Sequence, residues 1–291
     1  MLWEESLKLD SLPTVAESVV YEYSEYFGAD PSTARSLIFD PSYNEKLLAE
    51  WIAGQRRRNQ EDVIAQFGTS PLFVEINLQS CAKALLAEHR IKALGLMQRF
   101  NCKTVLDFGG AIGNTVILFA KNGASEVWLA EISASLLEFA KWRAQKRGLK
   151  INTISLSDEV IPSNYFDLIT AFAVFELIVD CEATVKTLSK ALKPGGIFVV
   201  SVTYLADKRN RPWLLTVMPD FLFSLRRRHG FRRVFWHDDG SQIVAGFQKA
   251  SPRLWEWFVS FADPLMRIVL RLRRFRTFTL SPMLASMRIR T

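Results

Sequence analysis

The sequence predicts an α/β fold built on a doubly wound, mostly parallel β-sheet. Two observations carry this prediction. From Thr104 onward, short apolar segments alternate with segments of helical periodicity, and two β-rich segments then close the series as a hairpin. The composition, with 49% hydrophobic and 23% charged residues, is that of an ordinary globular protein. It excludes disordered, collagen-like and disulfide-rich secreted proteins.

Five apolar segments and one hairpin give seven predicted strands. Helical segments separate the strands, which is typical of parallel strands covered on both faces. The predicted strands are Thr104–Leu106, Glu126–Ala130, Ile151–Leu156, Phe166–Ala171 and Ile197–Val202, with Phe231–Trp236 and Gln242–Phe247 forming an antiparallel C-terminal hairpin across Asp238–Gly240. The predicted helices between them are Asn114–Lys121, Ala134–Arg147 and Glu182–Leu192, the last stopped by Pro194-Gly195-Gly196.

Residues 1–95 are predicted to form a helical N-terminal cap or lid. Leu47–Ala53 and Val63–Phe67 have short apolar faces at helical spacing, and Asn77–Met97 is predicted as one longer helix. The core domain is expected over residues 96–250.

Two further segments lie outside the predicted sheet. An apolar insertion is expected at 205–230, centred on Arg211–Leu225. Residues 251–291 are predicted to form a basic, amphipathic C-terminal helical extension.

The segment Val105–Gly113 carries the chemistry, because a strand ends there, glycines turn the chain and a helix begins. Ligands of open α/β sheets bind at the carboxyl ends of strands. The dinucleotide pattern G-x-G-x-x-G does not fit from Gly109, since Ala111 and Asn114 stand where glycines are required. A Walker loop is excluded, because no Gly-Lys-Ser/Thr follows.

The turn instead resembles motif I, D/E-x-G-x-G-x-G, of the Rossmann-like class I S-adenosylmethionine-dependent methyltransferases. Asp107, Gly109 and Gly113 match the motif. Ala111 replaces the middle glycine, and Gly110 adds one beside it. The resemblance implies S-adenosylmethionine as cofactor and in-line methyl transfer as the reaction.

Further landmarks extend the resemblance over about residues 95–250. Phe172–Glu176 is similar to the family's V-L-E-H stretch, and Leu192–Phe198 to its L-K-P-G-G turn. The resemblance implies that Glu131 accepts bonds from both ribose hydroxyls, that Ile132 packs on adenine, and that Ser157 or Asp158 contacts the adenine amine. The implied cofactor-binding residues are Asp107, Gly109, Gly110, Ala111, Gly113, Glu131, Ile132, Ser157, Asp158 and Phe172.

The acceptor is expected to be a small molecule or a lipid-like molecule. No Asn/Asp-Pro-Pro-Tyr follows the fourth strand and no Pro-Cys pair is present, which argues against amino methylation of adenine or glutamine by that device and against 5-methylcytosine chemistry. Three alternatives stay open: an RNA methyltransferase that uses the basic tail, a non-catalytic partner subunit, and aminopropyl transfer on the same fold. Oligomeric state stays open too.

His237 and Glu176 are the candidate general bases, needed only where the acceptor must lose a proton. His237 ends a predicted strand beside a turn, and Glu176 follows strand four. The rivals are Tyr21, Tyr23 and Tyr26, if the N-terminal segment folds over the cleft. With only three histidines, no histidine-rich metal site is expected, and the metal prediction is none.

Three scattered cysteines and the lack of a signal peptide or membrane span predict a cytoplasmic protein. The net charge of +7 is concentrated in the tail. The segment from Arg253 to Thr291 contains eight arginines and two acidic residues, which gives it a net charge of +6. Apolar residues there recur at helical spacing from Leu265 to Phe275. This pattern suits either docking on the domain or an anionic membrane surface contacted through 253–276. Nucleic acid is the less favoured partner.

Overall fold

The computed structural model describes residues 1–40, 72–203, 230–239 and 242–250, with a few single positions between 49 and 229. The predicted helices Leu47–Ala53 and Val63–Phe67, most of the insertion 205–230 and the tail 251–291 lie outside the described residues. The described helices are α1 (Leu2–Leu7), α2 (Val15–Phe27), α3 (Pro31–Phe39), α4 (Leu72–Ala82), α5 (Ala87–Arg99), α6 (Asn114–Lys121), α7 (Ala134–Gln145) and α8 (Cys181–Ala191).

Seven strands form one sheet, which confirms the predicted fold class. They are β1 (Thr104–Phe108), β2 (Glu126–Glu131), β3 (Asn152–Ser155), β4 (Phe166–Phe172), β5 (Leu192–Thr203), β6 (Phe231–Asp238) and β7 (Gln242–Lys249). Their order is β3-β2-β1-β4-β5-β7-β6. The strands β1 to β5 are parallel, and β7 is antiparallel to both β5 and β6. Because the chain winds outward from β1 through β2 and β3 and then returns to β4, a crevice is expected between the ends of β1 and β4.

Both faces of the sheet are buried, as a parallel sheet requires. Neighbouring residues of β1 show this most simply: Val105 packs into one apolar cluster and Leu106 into the other, and both are fully buried. The first cluster also contains side chains of the N-terminal helices, among them Leu7 and Val19. The N-terminal helices therefore share a core with one face of the sheet.

The prediction of a single helix over Asn77–Met97 is wrong. The chain forms α4 and α5 instead, and between them Ala84 and Leu86 have positive φ angles of 52° and 59°. Leu85 is 53% exposed at this break. No glycine or proline lies at this break, at residues 83–86, so tertiary packing and not local sequence ends α4. The break sets the direction of α5.

The Pro194-Gly195-Gly196 segment was expected to separate the last helix from strand five, but it lies inside β5. The helix α8 ends at Ala191, and β5 begins at Leu192. Pairing with β4 shifts register between Phe166 and Leu168, which accommodates the irregular start of the strand. Past it, Ile197–Thr203 pairs regularly with β7.

Candidate functional site

Asp107 lies beneath the glycine turn rather than on its surface. Its side chain is buried, and its Oδ1 accepts a hydrogen bond of 2.6 Å from the hydroxyl of Thr170, its register partner on β4. A Cβ built on Gly110 would lie only 2.2 Å from Asp107 Oδ2. Burial raises the pKa of Asp107, and Thr170, Arg90 and Thr115 partly oppose this. The carboxylate therefore packs closely against the underside of the turn.

The backbone of the turn keeps a glycine-like conformation even where alanine replaces glycine. Gly109 and Gly113 have φ angles of 67° and 77°, and Ala111 between them has 49°. A left-handed conformation costs an L-residue about 1–2 kcal/mol. A Cβ on Gly109 would meet Val174 at 2.3 Å, so packing within the protein also requires this glycine.

Glu131, the last residue of β2, connects the turns that follow β1 and β2. Its Oε2 accepts from the backbone N–H of Ala111 at 3.1 Å, and its Oε1 from those of Ile132 at 2.8 Å and Ser133 at 3.3 Å. Burial raises the pKa of Glu131, and these backbone donors partly oppose the rise. The carboxylate is thus held in a fixed orientation at the carboxyl edge of the sheet.

The residues at this edge fit the nucleoside part of S-adenosylmethionine. A carboxylate accepts about four hydrogen bonds. Glu131 receives the three above, so it keeps the capacity to accept one from a ribose hydroxyl. Ile132 beside it is 38% exposed, an accessible apolar surface of the kind a flat base packs against. The remaining acceptor capacity of Glu131 and the exposed Ile132 therefore suit a ribose followed by an aromatic base.

The other predicted cofactor residues lie at the same edge. Ser157 and Asp158 form an exposed turn after β3, where Asp158 Oδ2 accepts a 3.0 Å bond from Ser155. Phe172 ends β4 and is buried. The structure thus brings the residues after β1, β2, β3 and β4 to one edge, while their individual roles stay predictions.

The two candidate bases lie apart from each other. Glu176 is buried in the short 3₁₀ helix Phe175–Leu177 that follows β4. His237 is on the edge strand β6, with its Nε2 3.9 Å from Glu88 Oε1. Because β6 lies three strands from β4 at about 4.8 Å per strand, His237 is laterally about 14 Å from the strand that carries Glu176.

The predicted tyrosine rivals all lie on α2. Tyr26 packs edge-on against Phe139 of α7, with ring centroids 4.8 Å apart. The hydroxyl of Tyr23 donates a 3.3 Å hydrogen bond to Glu75, and Tyr21 is 44% exposed. For Tyr26, packing in the core accounts for the aromatic side chain, and no catalytic role is needed to explain it.

Three residues of this site escaped sequence reasoning. Thr170 is a polar residue in the otherwise apolar end of β4, and this exception to the pattern was a usable signal. Thr115, in the first turn of α6, and Arg90, on α5, gave no signal. Arg90 donates a hydrogen bond of 3.2 Å from Nε to the Thr115 hydroxyl.

Comparison with known proteins gives a family match and partial relatives. Residues 78–244, more than half of the chain, match the sequence model of a family described as a methyltransferase domain. The ubiquinone/menaquinone biosynthesis C-methyltransferase of Cupriavidus taiwanensis is 32% identical over 101 residues, which are 33% of this chain and 41% of that protein. The protein of the same name from Shewanella oneidensis is 30% identical over 102 residues, with the same shares of 33% and 41%. The chain thus spans less than half the length of these relatives. Among solved structures, an S-adenosylmethionine-dependent methyltransferase from Mesorhizobium loti has a TM-score of 0.47 at 18% identity, over 55% of this chain and 97% of that one.

Proposed function

This chain belongs to the S-adenosylmethionine-dependent methyltransferases, and from that membership we propose that it methylates a small apolar or lipid-like acceptor. The observation that carries the proposal is the carboxyl edge of the sheet, where Glu131 is fixed against the glycine turn by the N–H of Ala111. Two further observations support the acceptor class. The centre of the insertion, Arg211–Leu225, is strongly apolar in sequence, and the names of the partial relatives give quinone biosynthesis as their role.

We propose that the nucleoside is held over β2 and β3. Glu131 accepts from the ribose, Ile132 packs on the base, and Ser157 or Asp158 contacts the exocyclic amine. Asp107 acts indirectly, by holding the glycine turn from beneath through Gly110. Ala111 and Gly113 keep the turn in its left-handed conformation.

When bound, S-adenosylmethionine supplies an activated methyl group on a sulfonium. The protein's task is then to hold the acceptor atom in line with that methyl, because orientation alone can supply most of the acceleration. A hydroxyl or carbon acceptor must also lose a proton. Glu176 is the better placed candidate to accept it, because it follows β4, a neighbour of β1. His237 is the alternative.

Labelled methyl transfer tests the acceptor class. The protein is incubated with S-adenosylmethionine carrying a tritiated methyl group and, in separate reactions, a lipid extract or total RNA. Label that enters the organic-solvent phase supports the proposal, and label that is precipitated with RNA contradicts it in favour of the RNA alternative. Glu176→Gln and His237→Ala are then assayed with saturating cofactor. Loss of a general base should slow turnover about 10²–10⁴-fold.

The role of Glu131 has its own test by calorimetry. In Glu131→Ala the ribose hydroxyl loses a charged acceptor, worth about 1.5–3 kcal/mol, so affinity for S-adenosylhomocysteine should fall roughly ten- to a hundredfold. Glu138→Ala, which removes an exposed carboxylate from the following helix, is the matched control. Unchanged affinity in Glu131→Ala would refute the assignment of the ribose site.

We also propose that the basic tail contacts an anionic membrane surface through 253–276. A cavity of about 360 Å³ lies where the described chain ends at Ala250, and four of its lining residues are cationic: Lys186, Lys190, Arg228 and Lys249. Positive charge on the folded domain therefore lies next to Ala250, the residue that precedes the tail in sequence. No helix in the described part of the chain is long and apolar enough to cross a membrane.

Vesicle sedimentation tests this contact. The full chain should pellet with vesicles containing phosphatidylserine, less so at high salt, because part of the attraction is electrostatic. A chain truncated after Ala250 should stay in the supernatant and still bind S-adenosylhomocysteine. Equal pelleting of both chains would contradict the proposal.

A further inference from the structure

The cavity of about 360 Å³ near Ala250 lies on the opposite edge of the sheet from the cofactor site. It is bounded by the last turns of α8, the start of β6 and the end of β7. Strand β5 begins directly after α8, and its residue Ile197 pairs with Gln248 near the end of β7. The cavity is therefore at the amino edge of the parallel strands, whereas Glu131 and the glycine turn are at the carboxyl edge. A ligand bound here would take no part in methyl transfer.

Cationic side chains from three parts of the chain line this cavity. Two come from α8, one precedes β6 and one is near the end of β7: Lys186, Lys190, Arg228 and Lys249. Among the described residues, no acidic side chain is part of the lining. Glu182, one turn earlier on α8, lies 3.4 Å from Nη1 of Arg228 and 3.0 Å from Nε2 of His229. One neighbouring carboxylate therefore opposes four cations, and an excess of positive charge remains.

Contacts within the protein do not account for this grouping of charges. Lys186 and Lys190 are four residues apart on α8, so they are neighbours on one helix face, where like charges repel. In the described part of the chain, neither forms an ion pair. Lys249 Nζ donates to the carbonyls of Ser189 at 2.7 Å and Leu192 at 2.8 Å. An ammonium has three donors, so one remains for a ligand. A concave surface lined by charges of one sign focuses the field and attracts an anion.

We propose that this cavity binds a phosphate group. At neutral pH a phosphate monoester carries about 1.5–2 negative charges and three acceptor oxygens, so it can pair with several cations at once, which a carboxylate cannot. Lysine binds phosphate as a point charge, without the planar geometry that arginine requires, and this suits lysines that approach from α8 and β7. The volume is at the lower end of the range of about 300–1,000 Å³ for ligand sites, so a small group attached to the phosphate also fits.

Nuclear magnetic resonance of the full chain with isotope-labelled histidine tests the site directly. The chain has three histidines, and His229 is the one that lines the cavity. His89 on α5 and His237 near the far end of β6 are internal controls. Added inorganic phosphate, at constant pH and ionic strength, should shift the imidazole signal of His229 in a saturable manner and leave the other two signals in place.

A pair of double variants tests the contribution of the lysines. Lys186→Gln combined with Lys190→Gln should weaken phosphate binding about tenfold, because two exposed charge contacts are lost. Lys141→Gln combined with Lys150→Gln is the matched control. It removes the same charge from two positions that are equally exposed and lie outside the cavity. Affinity should change little in this control, because salt screens distant surface charges.

The phosphate could belong to a soluble ester or to a phospholipid headgroup, and vesicle sedimentation distinguishes these sources. For a headgroup, glycerol 3-phosphate should shift His229 as phosphate does, and the Lys186/Lys190 variant should pellet less with phosphatidic acid vesicles than the control variant. For a soluble ester, both variants should pellet equally while the shift by phosphate persists. Either outcome supports a phosphate site.

Two results would overturn the inference. One is a His229 signal that responds to chloride as it does to phosphate at the same ionic strength. The other is an equal loss of phosphate affinity in both double variants, which would show a general attraction to a basic surface. The first result comes from the unaltered chain, so it decides the matter even if a variant does not fold. Neither result bears on methyl transfer, because the two sites lie at opposite edges of the sheet.

Discussion

Glu22 is the centre of a buried ion cluster that connects α2 with α7. Its two carboxylate oxygens each lie 3.0 Å from Nε of Arg143, and one also pairs with Arg147. The side chains of Glu22 and Arg143 are fully buried, and that of Arg147 is nearly so. Burial lowers the pKa of Arg143, but the Glu22 carboxylate and the Cys81 sulfur raise it more, so the net shift is upward. Without Glu22, mainly the unfavourable effect of burial remains.

We expect Glu22→Gln to destabilise the fold strongly. Removing one partner of a buried ion pair costs about 3–5 kcal/mol, because the remaining charge is left buried and unpaired. Here two arginines lose the same carboxylate, so the upper part of this range is expected. At about 2–4 °C per kcal/mol for a domain of this size, the melting temperature should fall by roughly 6–20 °C.

Thermal and urea unfolding of the full chain, followed by circular dichroism, measure the effect. Glu17→Gln is the matched control on the same helix, because Glu17 pairs with Arg35 at the surface. Surface pairs contribute about 0–1 kcal/mol, so the control should unfold almost as the unaltered chain does. If Glu22→Gln costs less than about 1 kcal/mol, water or another group compensates the arginines and the reasoning is refuted.

Two neighbouring substitutions in the glycine turn should act in opposite directions. Gly110→Ala should lower the melting temperature, because the added Cβ would lie against Asp107. Ala111→Gly should stabilise the fold by about 0.5–1 kcal/mol in urea unfolding, because the relief of left-handed strain exceeds the cost of the added entropy of the unfolded chain. Because burial raises the pKa of Glu131, its carboxylate gains a proton at higher pH than an ordinary glutamate does. Affinity for S-adenosylhomocysteine, measured by calorimetry, should therefore fall from pH 7 towards pH 5, and Glu131→Gln should lose this dependence. A carboxyl group whose pKa is raised by folding stabilises the folded state as the pH falls, so protonation of Glu131 does not itself promote unfolding. Burial raises the pKa of Cys102 to about 12, so at pH 8 this thiol should resist iodoacetamide in the folded chain and react once urea unfolds it, as peptide mass spectrometry would show.

The sheet could be predicted from the sequence because its signals are local. Short apolar segments mark β1, β2, β4 and β5, and the Asp238–Gly240 segment marks the hairpin. The break between α4 and α5 could not be predicted, because Ala84 and Leu86 are residues without a preference for left-handed backbone. Contacts made after folding hold them there.

The site divides in the same way. Asp107 and Glu131 stand near the ends of β1 and β2, where sequence position alone predicts the edge of the sheet. Arg90 and Glu22 belong to helices whose charged residues resemble solvated ones, and nothing in the periodicity tells a buried arginine from an exposed one. Their partners, Thr115 and Arg143, are distant in sequence, so only the folded chain reveals the pairs.

The buried cluster also reaches the glycine turn. Arg143 donates through Nη1 to the carbonyl of Ile112 at 3.4 Å and to the side chain of Asn114, the first residue of α6, and through Nη2 to the Cys81 sulfur at 3.2 Å. The turn that follows β1 is therefore anchored by an arginine whose own position depends on Glu22 of α2. A substitution at Glu22 should weaken cofactor binding even where the fold survives, although Glu22 contacts no ligand. The N-terminal helices are therefore connected to the glycine turn, through the contact of Glu22 with Arg143.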